Sequence, residues 1–166
     1  MYHNSEKTSE TVALVRKLLE LGRPQEAAEV IRQFGAASAE LRNAYGVCLM
    51  RTGQTGKAVE LYRKLVMDEK GINLKRDVPT IFKTNFATAL LLARNAAGCL
   101  SVLDEMADSR HPAVVRVRDA VARWRRSLGW WRRVWLAMYG SAPATPVVLD
   151  FPPGDLDERP SLRPAA

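Results

Sequence analysis

Few residues in this chain could carry covalent chemistry, and their spacing does not gather them. His3 and His111 are its two histidines. His3 sits in a polar lead and His111 directly precedes Pro112, and neither has a cysteine or acid at metal-ligand spacing. Both read as surface histidines. Cys48 and Cys99 are too far apart in sequence to suggest a disulfide scaffold. Each falls at a small-residue position of a helical pattern, where a thiol packs as a small apolar group. The acid pairs Asp68-Glu69 and Asp104-Glu105 lie near the ends of predicted helices and read as solvated. A phosphate-binding loop, a nucleophile elbow and a dinucleotide fingerprint are all missing from the sequence. The expectation is therefore a protein that is not an enzyme, with no cofactor and no metal site.

The elements that would position anything else are helices. Residues 39–67 organise the rest. Leu41, Ala44, Tyr45, Cys48 and Leu49 recur at helical spacing, as do Ala58, Leu61, Tyr62 and Leu65. Between the two stripes, Gly53 suits a left-handed C-cap and Thr55 an N-cap. Gly46 and Ala58 sit near the middle of each helix. A mid-helix glycine costs about 0.5–1 kcal/mol relative to alanine, so close backbone packing is the expected compensation. A helix over 8–22 (Val12, Val15, Leu18, Leu19) and a second from Pro24 to Phe34 precede this hairpin, after a frayed lead over 1–7. A third hairpin follows at 79–107, where Arg94 stands at the turn and Asn95 can adopt the left-handed conformation.

This spacing resembles the tetratricopeptide repeat, a helix hairpin of about 34 residues. Tyr45, Gly46, Leu49, Gly53, Ala58 and Tyr62 fit its motif positions without a gap. Leu14, Val15, Leu18, Gly22, Ala27 and Ile31 fit in the first unit, and Phe86, Ala87, Leu90, Arg94, Cys99 and Leu103 in the third. Arg42 stands where the family has tryptophan, and the family's late proline is absent. The spacing between the second and third units carries about seven extra residues, placed in 69–79 and read as an inert loop. The resemblance implies an all-α, right-handed superhelical stack of hairpins, 8–35, 39–68 and 79–107, closed by a capping helix over 112–139. Residues 8–139 then form one TPR-like helical domain, and the Pro-rich 140–166 an extended or disordered tail, with 147–151 its one apolar piece.

The resemblance further implies that first helices line a concave groove. From the first unit that lining takes Arg16 and Leu19, with Ser9, Val12 and Glu20. The second supplies Glu40, Asn43, Val47, Met50 and Arg51. The third supplies Thr84, Thr88 and Leu91, with Ile81 and Leu92, and Asn85 stands where the family often places an asparagine that binds ligand backbone. The implied function is a scaffold or adaptor that binds a peptide or partner helix. Two conditions go with it: Gly46 and Ala58 must be buried, and the hollow must not be filled by the chain itself. Val47, Leu91 and Leu92 could instead pack against the chain's own last helix.

The composition, 47% hydrophobic and 26% charged, suits an ordinary soluble domain. No apolar run is long enough to cross a bilayer, no signal peptide is expected, and a reducing cytoplasm is the default. The net charge of +7 is concentrated. Residues 109–139 hold eight arginines against one acid, and all four tryptophans. There Trp130, Trp131, Arg132, Arg133 and Trp135 offer a second surface. A solenoid cap is one reading, targeting of a peripheral or assembly protein to an anionic membrane surface another, and nucleic-acid binding a weaker third.

Overall fold

The computed structural model describes residues 2–36, 38–106, 110–131, 134, 138 and 147–156, with the backbone alone for 2–7. The described residues form seven α-helices and no named strand: α1 Tyr2–Glu20, α2 Pro24–Phe34, α3 Ala39–Arg51, α4 Thr55–Val66, α5 Thr80–Leu92, α6 Ala96–Glu105 and α7 Pro112–Ser127. α1 packs on α2, α3 on α4 and α5 on α6. Each pair also touches the next through α2–α3, α4–α5 and α6–α7, while α1–α3, α3–α5 and α5–α7 contacts link the alternate helices.

The three hairpins turn in the same way. Gly22, Gly53 and Arg94 take φ of 71°, 75° and 64°. Their amides donate to Leu19, Met50 and Leu91, and the following amides of Arg23, Gln54 and Asn95 donate to Leu18, Leu49 and Leu90. This is the paired 5→2 and 6→1 bonding that satisfies the last carbonyls of a helix. At the third turn Arg94 itself, rather than Asn95, enters the left-handed region. Asn95 instead caps α6, its side chain accepting from the Gly98 amide. Thr55 is likewise not a cap, since α4 begins after Gln54 without a side-chain bond.

Six small-residue positions lie where the hairpins meet. Val15, Ala27, Ala58, Ala87 and Cys99 are fully buried, and Gly46 is buried against Tyr62. A Cβ on Gly46 would lie 2.5 Å from Tyr62 Cε2 and Cζ, closer than atoms pack. Glycine is therefore what lets α3 and α4 approach, and the burial condition on Gly46 and Ala58 is met.

Other boundaries differ from expectation. Residues from Tyr2 onward are already helical, with no glycine or proline before Gly22 to break α1. α7 ends at Ser127, where Leu128 is extended and buried, so the helix expected over 112–139 is broken at 128–129; Trp130, Trp131, Val134 and Met138 are helical again beyond the break. The 68–78 loop is compact. The Asp68 carboxylate accepts from the Ile72 and Asn73 amides, which hold its pKa below the usual carboxylate range. Leu74 is buried, and its amide donates to Glu105 at 2.6 Å. Asp68 and Glu105 thus tie down the loop and do not simply face solvent.

Candidate binding groove

Asn43, Val47, Met50 and Arg51 follow one another at i, i+4, i+7 and i+8, so they share a face of α3. Asn85 on α5 and Arg116 on α7 stand on the neighbouring helices. Across these three helices lies the irregular segment 147–156 of the same chain, in which Phe151, Gly154 and Asp155 are buried.

The contacts to this segment are mostly to its backbone. The Asn85 amide pairs with both sides of the Asp155 peptide: Nδ2 donates to Asp155 O at 2.7 Å, and Asp155 N donates to Asn85 Oδ1 at 3.0 Å. Asn43 Nδ2 also donates to Asp155 O, at 3.3 Å. Asn43 Oδ1 accepts from Asn85 Nδ2 at 2.8 Å and from the Tyr62 hydroxyl at 3.1 Å. The Tyr62 hydroxyl donates as well to Asn43 O at 2.9 Å. Arg51 fixes three carbonyls, each at 3.1 Å: Pro153 O from Nε, Gly154 O from one terminal nitrogen and Leu19 O from the other.

Two side chains of the segment are read directly. The Asp155 carboxylate is ion-paired with Arg116, and the side chain of Asp155 is only 3% exposed. The same guanidinium lies 4.3 Å from the centre of the Phe151 ring, within cation–π range. Gly154 has φ +79°, and a Cβ there would come within 2.6 Å of Met50 Cε and 2.8 Å of Val47 Cγ2. Asp150 meets Arg123 in a solvent-exposed pair, which contributes little by comparison.

Burial sets the electrostatics. Desolvation lowers the pKa of Arg51, opposed by the nearby Asp155, and raises that of Tyr62 well above the usual phenol value. The Cys48 thiol, behind the groove, is pushed up to about 12 by burial. Arg51 and Tyr62 spend their polar atoms on hydrogen bonds within the face. Among the described residues no group of three or more His, Cys, Asp or Glu could hold a metal ion. His111 caps α7, its ring accepting from the Ala113 amide.

The remaining expected groove residues divide. Leu19 is buried and contributes its carbonyl; Arg16 is half-buried on α1 and Glu40 is exposed at the start of α3. Thr84 and Thr88 are buried, but their hydroxyls donate to carbonyls of their own helix, Thr80 O and Thr84 O. Leu91 is wholly buried in the core. Sequence reasoning missed Arg116, Phe151, Gly154 and Asp155. A Pro-Pro-Gly-Asp run directly after the apolar 147–151 piece was the available signal. On the second surface, Trp130 and Trp131 are 59% and 69% exposed and stacked with ring centres 3.9 Å apart. Arg132, Arg133 and Trp135 lie outside the described residues.

No family model, curated protein or solved structure matches this chain. Its function is therefore argued from the groove itself.

Proposed function

We propose that the chain is a TPR-like, right-handed stack of three hairpins with α7 as its cap, and that it serves as a non-enzymatic adaptor whose concave face grips an extended peptide. The supporting observation is the double hydrogen bond between the Asn85 side chain and the Asp155 backbone. That pairing reads main chain as a neighbouring strand would, and such contacts supply affinity while side-chain pockets supply specificity. The repeated turn and the buried small residues support the stack.

The condition of an empty hollow is not met, since residues 150–156 occupy the face. The adaptor reading therefore requires the chain's own segment to leave before a partner enters. Affinity capture from the native cell, read by mass spectrometry, tests the reading. Partners held by the wild-type chain are expected to be lost on Asn43→Arg with Asn85→Arg. An unchanged partner set would move the site off this face.

A second reading rests on the exposed, stacked Trp130 and Trp131 beside the exposed Arg125 and Arg126. Aromatic rings with neighbouring arginines suit an anionic bilayer surface. No helix among the described residues is long and apolar enough to cross a membrane. Flotation with anionic vesicles, compared between the wild type and Trp130→Ser with Trp131→Ser, checks this reading. It is abandoned if neither form floats.

A further inference from the structure

We infer that residues 151–155 act as a built-in, displaceable occupant, and that the partner of this groove is a protein segment of the same chemistry: an aromatic residue, two extended spacers, then Gly-Asp. This inference rests on the adaptor reading and gives its ligand a class.

Each requirement comes from a contact. The position of Gly154 admits no side chain, because Met50 and Val47 stand where its Cβ would be; its φ of +79° also disfavours any other residue. The next residue must be acidic to meet Arg116, and it must be Asp in length, since its own N–H and C=O are held at the same time by Asn85. The aromatic ring is set by the face of the Arg116 guanidinium. The two spacers are Pro152 and Pro153, and only a spacer carbonyl is used, by Arg51. Proline suits them because an extended path costs it little ordering entropy and the missing N–H is not needed.

Holding a segment down is done at least as well by apolar side chains, and a buried ion pair is often no more stabilising than hydrophobic groups of its size. What a fully satisfied buried polar network adds is one defined arrangement of the groups it joins. Asn43, Asn85 and Arg51 hold four main-chain groups of the segment, while Arg116 meets one carboxylate and one ring and the Gly154 position excludes a side chain; backbone grip together with side-chain selection is the equipment of a recognition site. The tethered segment is present at an effective concentration of about millimolar, so it masks the face from weak competitors and yields to a tighter one.

The test uses the full chain and a fluorescein-labelled peptide with the sequence of residues 149–156. Gly154→Val in the chain evicts its own segment and leaves the four gripping residues in place. The peptide is expected to bind this opened chain at least tenfold more tightly than the wild type. Peptides carrying Gly154→Val or Asp155→Asn are expected to lose at least tenfold on the opened chain. Adding Arg116→Gln to the opened chain should reduce the preference for Asp over Asn to less than twofold, which a change in packing alone would not do. An opened chain that loses its helical circular dichroism makes the segment a structural strap and overturns the inference. So does a folded opened chain that binds no peptide. Dimers of the wild-type chain in sedimentation, dispersed by Gly154→Val, would assign the segment to a second copy and also overturn it. The capture experiment on the same opened chain separates the two levels. If capture rises on opening and falls on Asn43→Arg while the peptide does not bind, the ligand class fails and the adaptor reading stands. If neither responds, both fail.

Discussion

Arg51 and Asn85 grip backbone, whereas Cys48 and Cys99 are free thiols buried in the core, and the difference is measurable. Burial pushes both thiols up to about 12, so at pH 8 almost no thiolate exists to react. Alkylation by iodoacetamide at pH 8 is expected to be at least about a hundredfold slower in the native protein than in urea, where an ordinary pKa of about 8.5 returns. Equal rates would place the thiols at the surface. The linkage has a definite sign. A thiol whose folded pKa is raised contributes its full stability below the unfolded value and loses it as pH climbs towards the folded one. The urea midpoint should therefore fall as pH rises from about 8.5 towards about 12, with Tyr62 adding to the loss at the upper end. Arg94 offers the opposite manipulation. It is the one non-glycine with positive φ among the described residues, a conformation that costs about 1–2 kcal/mol for a side chain. Glycine there gives back part of this as unfolded-state entropy. Arg94→Gly is expected to stabilise by about 0.5–1 kcal/mol, read as a higher urea midpoint at unchanged slope.

At the scale of elements, the α3–α4 contact decides the shape of the groove. Gly46 allows the Tyr62 ring against α3, and the Tyr62 hydroxyl then holds Asn43 in the orientation that meets Asn85 and Asp155. Alanine at 46 improves helix propensity by about 1 kcal/mol but overpacks a site with no room, at about 1–3 kcal/mol. Gly46→Ala is thus expected to destabilise by up to about 2 kcal/mol. Gly56→Ala, at an exposed position of α4 with open space around it, should be neutral or slightly stabilising. Thermal melts of the two variants check the contrast; equal Tm values would remove the packing argument. The hairpins were legible because a helix repeats every 3.6 residues, and the same phase grouped Asn43, Val47, Met50 and Arg51 on one face. Arg116 could not be grouped with them. Its partner Asp155 lies 39 positions away in an irregular segment that has no period to read. Helix ends were the least legible, as α7 shows: its apolar steps continue in sequence past Leu128, but the backbone of that residue is extended and closes the helix.

At the scale of the molecule, the helices do not share the core equally. Ten of the thirteen residues of α5 are buried, and it touches α3, α4, α6 and α7, so exposing its amides means opening most of the structure. α1 is the contrast. Its first buried described residue is Thr11, with Ser9 and Glu10 exposed, so the described part of its opening turns buries far less than α5 does. Native-state opening follows such differences in buried contacts. Hydrogen exchange is therefore expected to be at least about a hundredfold faster for the amides of residues 6–10 than for those of 86–91, with 24–34 between them, because α2 buries only Ala27 and Ile31. The Asp155 amide is the informative exception. It is bonded to Asn85 beside the most protected helix, yet the occupant reading gives it an opening of its own. Its exchange should be faster than that of 86–91 and faster still when the 149–156 peptide is added in excess, whereas a strap integral to the fold would exchange together with α5. Protection of Asp155 equal to that of Phe86–Leu91 would show that the segment leaves only when the whole molecule unfolds.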